Sequence, residues 1–120
     1  MDIGAREIRS WHVSPPRNWA DIGYHYVIRR DGTLEVGRPL TVPGAHVEGY
    51  NSKSLGICLV GGINDQGEPE DNFTAIQKAV LRSRINWLKA ADFKHAEVIG
   101  HRDVPGVKKA CPSFNVRTWY

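Results

Sequence analysis

The chain has 120 residues, of which 41% are hydrophobic, 24% charged and 9% aromatic, a composition typical of one globular domain that excludes a disordered tail, a coiled coil and a collagen-like repeat. The 16 Lys and Arg residues outnumber the 13 Asp and Glu residues, giving a net charge of +3, but they are scattered, which argues against nucleic acid as a partner. Neither a membrane span nor a signal peptide is predicted, and two cysteines are too few for a disulfide scaffold.

The first predicted element is a short helix over residues 3–12. Ile8, Trp11 and His12 recur there at i, i+3 and i+4, which places them on one face. We therefore expect His12 to pack or to cap rather than to bind a ligand.

A hairpin is predicted next. Residues 24–30 and 33–36 are rich in strand-forming side chains and flank an Asp-Gly pair at 31–32, a turn signal typical of two antiparallel strands. Residues 37–54 contain several Gly and Pro residues and are expected to form an irregular loop.

The second half predicts a strand, a helix, another strand and a final helical turn near Asn115. Residues 55–60 are almost continuously apolar, as in a central strand, and residues 96–100 read as a second, shorter strand. Between them, Thr74 and Gln77 match a capping box for a helix ending near Ala91, with Ile76, Val80, Ile85 and Leu88 as its buried face. The order α-β-β-β-α-β predicts one α/β domain over residues 1–120, with a small mixed sheet flanked by helices.

The densest group of reactive side chains follows the strand at 96–100. His101 and Cys111 are both residue types that bind zinc, and Lys109 could stabilise a thiolate or a developing oxyanion. Spacing alone favours a loop with a solvated His and a buried Cys, because nine residues between His and Cys is not one of the tight zinc-finger spacings.

Two further positions could carry chemistry. Tyr24 and His25 point to opposite faces of their strand, so one could enter a site while the other packs. His46 lies in a Gly-rich loop, where it fits a ligand contact and an exposed loop histidine equally well. His95 is expected to be solvent-exposed.

Seven blocks occur together and in order across nearly the whole chain: GAREIRSWH, DIGYHY, RDGT, GAHVEGYN, SLGICLVGG, GHRDV and KACPSF. As a set they resemble the zinc-dependent N-acetylmuramoyl-L-alanine amidases, in particular the amidase-type lysozymes of T-odd phages, with peptidoglycan-recognition proteins as more distant relatives. The resemblance implies the amidase fold.

The resemblance also implies site residues. His101 and Cys111 correspond to zinc ligands, Tyr24 and Lys109 to the catalytic tyrosine and lysine, and His46 to a histidine at the edge of the substrate groove. The implied reaction is hydrolysis of the amide between N-acetylmuramic acid and the L-alanine of the peptidoglycan stem peptide, by a phage or prophage endolysin. Such a protein would remain in the cytoplasm until lysis and then act on the cell wall.

One family feature is not found in the sequence. In the amidases a strand ending in the first zinc histidine precedes the opening helix, whereas here Met1 stands almost directly before that helix. We therefore expect an N-terminally truncated domain lacking one Zn²⁺ ligand and a central strand, with weak or lost activity unless His46 or another group completes the coordination shell.

This expectation leaves alternatives to the enzyme. The chain could be a catalytically inactive module of the same fold that binds muropeptides. The bare sheet edge would favour self-association, and some phage lysozymes of this type also bind the phage RNA polymerase.

Overall fold

A computed structural model describes residues 3–15, 17, 21–45, 51, 54–104 and 112–120. The elements, in chain order, are α1 (Ala5–Val13), β1 (Tyr26–Ile28), β2 (Leu34–Val36), β3 (Ile57–Leu59), α2 (Ala75–Ala90), a 3₁₀ turn (His101–Asp103) and α3 (Val116–Trp119). No helix in these residues combines the length and the apolar character that crossing a membrane requires.

The predicted hairpin and mixed sheet are confirmed. The strand order is β2-β1-β3, with β1 antiparallel to β2 and parallel to β3. In the hairpin turn, the Asp31 carboxylate accepts a hydrogen bond from the Thr33 N–H at 2.9 Å. Gly32 has φ +89°, a conformation that side chains other than glycine rarely adopt.

The two longer helices contribute to separate apolar clusters on the sheet. Ile8 of α1 packs in a cluster with Val27 and Val60, whereas Leu81 and Ile85 of α2 pack with Ile28. All of β1 is buried because both clusters draw on it. This layering of helices on a small mixed sheet is the predicted α/β architecture.

Helix α2 begins as predicted and buries Ile85 and Leu88 as predicted, whereas Ile76 is not part of its buried face. The Thr74 hydroxyl accepts from the Gln77 N–H at 3.1 Å, and the Gln77 carboxamide oxygen accepts from the Thr74 N–H at 2.9 Å. Gln77 is 0% exposed and Ile76 is 50% exposed, so the prediction that Ile76 is buried was wrong. The Gln77 side chain turns inward because it binds the backbone of the sheet.

The strand predicted at 96–100 is not formed in the structure. This segment lies beside the same cavity as β3, and within the described residues no β-ladder joins the two. A strand needs a neighbour about 4.8 Å away to satisfy its backbone groups. Val98 and Ile99 are half-buried, so the segment contributes apolar side chains without pairing as a strand.

Candidate active site

A cavity of about 840 Å³ lies beside β3. Its wall includes β3, the buried face of α2, residues 96–101 and residues 112–114. Tyr24 and His101 both line it, although 77 positions separate them in the sequence. Two of the five predicted site residues therefore lie on the wall of one cavity.

Tyr24 is held by its backbone and by its ring. Its carbonyl oxygen accepts from the Arg38 N–H at 2.9 Å. Its ring lies 5.7 Å from the His12 ring, centroid to centroid, at an interplanar angle of 49°. The preceding residue, Gly23, donates its N–H to His12 Nδ1 at 2.9 Å. Contacts from helix α1 and from the segment after β2 therefore both fix Gly23 and Tyr24, which precede β1.

Two side chains hold the loop that follows β2. The Arg38 guanidinium donates to the carbonyl oxygens of Ile22 at 2.6 Å and Pro43 at 2.7 Å. His25 is 1% exposed, with Nε2 2.7 Å from the Val42 carbonyl oxygen and Nδ1 3.1 Å from the Gly56 nitrogen. Because Gly56 N–H can only donate, Nδ1 is the acceptor and Nε2–H donates to Val42. His25 thus joins the loop to the start of the segment leading into β3.

The same loop is also hydrogen-bonded to the residues that precede β1. The Ala45 N–H donates to the Gly23 carbonyl oxygen at 2.9 Å. His46, the predicted groove residue, is the next residue in the sequence and lies outside the described residues.

His101 begins the 3₁₀ turn at the cavity wall and is partly buried. The Asp103 carboxylate accepts from the Gly100 N–H at 2.9 Å, which closes this turn. A Cβ added to Gly100 would lie only 2.7 Å from Pro112 Cδ, so the proline ring packs closely against the Gly100 backbone. Only a glycine permits this contact without displacement of the proline.

Lys109 and Cys111 lie outside the described residues. The residues just after them are anchored, because the Ser113 hydroxyl donates to the Gly62 carbonyl oxygen at 3.0 Å. Ser113 itself has φ 73°.

The charges of two groups near Tyr24 follow from their surroundings. Burial lowers the pKa of His12 below its ordinary value, and the positive charges of Arg17 and Arg38 lower it further. The pKa of Asp21 is also lowered, chiefly by the hydrogen bond from the Ile22 N–H and then by Arg9. A neutral His12 agrees with its role as an acceptor from Gly23.

Zinc is the metal that the resemblance implies. Within the described part of the chain, no three His, Cys, Asp or Glu side chains are grouped to hold a metal ion. His101 is a suitable donor at the cavity wall. Gly100 directly precedes His101 and Pro112 directly follows Cys111 in the sequence, and Gly100 and Pro112 are in contact. One imidazole and one thiolate are donor types that zinc binds, but a catalytic zinc site has three protein ligands, so a further donor would have to complete the coordination shell.

Residues 4–114 match the family described as N-acetylmuramoyl-L-alanine amidase. The chain belongs to this family. It is 51% identical to the endolysin of Klebsiella phage KP32 and 45% identical to that of Escherichia phage T7, in each case over 100% of this chain and 76% of the relative. The predicted resemblance to amidases of T-odd phages is confirmed.

Solved structures support the same fold. The N-acetylmuramoyl-L-alanine amidase LysC from Clostridium intestinale matches with a TM-score of 0.81 and 29% identity, over 98% of this chain and 72% of that chain. A Drosophila PGRP-LB mutant in complex with tracheal cytotoxin matches with a TM-score of 0.77 and 27% identity, over 96% and 64%. The predicted fold class is therefore confirmed.

Sequence reasoning missed the residues that hold the site. The sequence predicted that His12 packs or caps but did not identify Gly23 as its partner, and it gave no indication that His25 binds the backbone at Val42 and Gly56. Arg38 gave no signal, since a single Arg beside a Pro is common in surface loops.

Proposed function

We infer that this chain is a peptidoglycan amidase of the endolysin type, from phage or prophage. It hydrolyses the amide between the lactyl group of N-acetylmuramic acid and the L-alanine of the stem peptide. The observation that carries this proposal is that Tyr24 and His101 line one cavity within the span that matches the family. The endolysin relatives favour the enzyme over an inactive binding module.

His101 and Cys111 are the proposed zinc ligands. The support is geometric: His101 directly follows Gly100 and Cys111 directly precedes Pro112, and Gly100 and Pro112 lie in contact. Bound zinc would polarise the scissile carbonyl and lower the pKa of a coordinated water towards ~7.

The other proposed roles belong to this chain's own side chains. The Tyr24 hydroxyl orients the attacking water or donates a hydrogen bond to the tetrahedral intermediate, and the Lys109 ammonium stabilises the negative charge that develops on the carbonyl oxygen. His46 contacts substrate at the edge of the groove, which agrees with its place one residue after Ala45, whose N–H is bound to Gly23.

The proposed substrate is peptidoglycan or a muropeptide released from it. One structural relative, the PGRP-LB mutant, was solved in complex with tracheal cytotoxin. The net charge of +3 is complementary to a stem peptide that bears carboxylates. The proposed place of action is the cell wall.

The test is the release of peptides with a free L-alanine amine from purified peptidoglycan, measured together with the zinc content of the protein. We expect Tyr24→Phe to lower kcat by about 10²–10³-fold with zinc retained, since it deletes one donor to the transition state. His101→Ala should lower both zinc content and activity.

His95→Ala is the matched control, because His95 is an exposed histidine outside the cavity wall. It should change neither zinc content nor activity. Release of free glycan reducing ends in place of L-alanine amines would exclude the amidase reaction, and an unchanged zinc content in His101→Ala would exclude that residue as a ligand.

A further inference from the structure

His12 occupies a position that connects helix α1 to the proposed catalytic tyrosine. It lies in the last turn of α1, and its Nδ1 accepts the Gly23 N–H at 2.9 Å. Its ring also contacts the Tyr24 ring at a centroid separation of 5.7 Å. One imidazole therefore restrains both the backbone just before Tyr24 and the Tyr24 side chain.

This arrangement requires one protonation state. A backbone N–H can only donate, so Nδ1 must carry a lone pair and the proton of the neutral ring sits on Nε2. Protonation of Nδ1 would turn two N–H groups towards each other and break the bond to Gly23. An imidazolium at this place would hold the segment before β1 less firmly.

The groups around His12 favour the neutral ring. Arg17 follows α1, and Arg38 comes from the segment after β2; both repel a positive charge on the ring, in addition to the cost of its burial. Tyr24 faces the ring from the segment before β1. The nearby Asp21 carboxylate is engaged by the Ile22 N–H at 2.8 Å and Arg9 Nε at 2.9 Å.

We propose that His12 is a positioning residue for amide hydrolysis: its neutral imidazole fixes Gly23 and the Tyr24 ring, and so sets where the Tyr24 hydroxyl lies in the cavity. Gly23 also accepts from Ala45, so the same residue couples α1 to the loop that leads to His46. The proposal rests on the proposed function, in which Tyr24 acts on the substrate.

Two replacements separate the hydrogen bond from the ring contact. In His12→Asn, the amide oxygen can take the place of Nδ1 as an acceptor that does not titrate, whereas His12→Phe keeps a ring and loses the acceptor. We expect His12→Phe to lower kcat about 10- to 100-fold with little change in KM, because Tyr24 is displaced while the groove remains. His12→Asn should recover most of this loss.

The pH profile distinguishes positioning from general stability. Wild-type kcat/KM should fall on the acid side as His12 protonates, and in His12→Asn this fall should move to lower pH. His95→Asn is the matched control, because His95 is exposed and is not among the residues that line the cavity, and its profile should match the wild type.

Hydrogen exchange of the Gly23 amide supplies a readout independent of catalysis. We expect protection in the wild type and in His12→Asn, and faster exchange in His12→Phe. If the wild type shows this exchange pattern but has no amidase activity, only the proposed function is refuted. Equal kcat in His12→Phe and wild type, or equal losses in His12→Phe and His12→Asn with unchanged pH profiles, would overturn the positioning role.

Discussion

Replacement of Gln77 by Leu should destabilise the fold strongly, although Leu is apolar and similar in size. Gln77 is fully buried, and its Nε2 donates to the carbonyl oxygens of Val60 at 2.9 Å and Ile28 at 3.2 Å. Its Oε1 accepts from the Thr74 N–H at 2.9 Å. One side chain thus connects the start of α2 to the ends of β1 and β3.

The magnitude follows from these three contacts. Each buried hydrogen bond contributes roughly 1 kcal/mol net, and more where a backbone group is left unsatisfied, so Gln77→Leu should cost about 2–4 kcal/mol. Ile28 keeps one partner, because its carbonyl oxygen also accepts from the Val60 N–H at 3.0 Å, which limits the loss. An unfolding entropy of about 2.1 cal/mol/K per residue converts this cost to a Tm decrease of roughly 8–16 °C.

Thermal and urea unfolding, followed by circular dichroism, measure this change directly. The matched control is Gln66→Leu, since Gln66 is exposed in a turn and should change stability by less than about 0.5 kcal/mol. A loss below about 1 kcal/mol in Gln77→Leu would refute the reasoning, because it would mean that the backbone groups find other partners without cost.

Two further predictions concern the segment around Tyr24. A Cβ added at Gly37 would collide with the Tyr24 carbonyl oxygen, so Gly37→Ala should lower stability by about 1–3 kcal/mol and amidase activity at least about tenfold. Gly67→Ala, where a Cβ meets nothing within 4 Å and only the φ of +77° is unfavourable, should cost about 1 kcal/mol and leave activity unchanged; similar activities in both variants would contradict this. The pKa of Asp21 is lowered in the folded state, chiefly by the hydrogen bond from the Ile22 N–H. The Asp21 carboxylate therefore stabilises the fold above its unfolded-state pKa, and this stabilisation is lost as the pH falls through the folded-state pKa. Tm should therefore fall more between pH 5 and pH 3 in the wild type than in Asp21→Asn, and parallel decreases would show that this carboxylate contributes nothing.

Local sequence signals predicted the elements whose causes are local. The Asp-Gly pair at 31–32 specified the hairpin because a glycine is required at the turn, where φ is +89°. Thr74 and Gln77 specified the first turn of α2 because the capping box lies within four residues. Both predictions needed no information from the rest of the chain.

Predictions that depended on neighbours were less successful. The pattern at 96–100 is that of a strand, but pairing requires another backbone alongside, and no ladder is formed there within the described residues. Ile76 fits an apolar helical face, yet the buried position is Gln77, because the backbone ends of β1 and β3 supply partners for its carboxamide. Hydrophobicity alone could not identify a polar side chain as the buried one.

The amino-acid sequence by itself determined the family, because seven short blocks in a fixed order are together specific, and it singled out Tyr24 and His101 as candidates. Only the tertiary structure placed these two residues on one cavity and revealed that His12 and His25 act through backbone hydrogen bonds. The reason is physical: a motif depends on residue types close together in the chain, whereas a site depends on distances between segments that are set by packing of the sheet and helices.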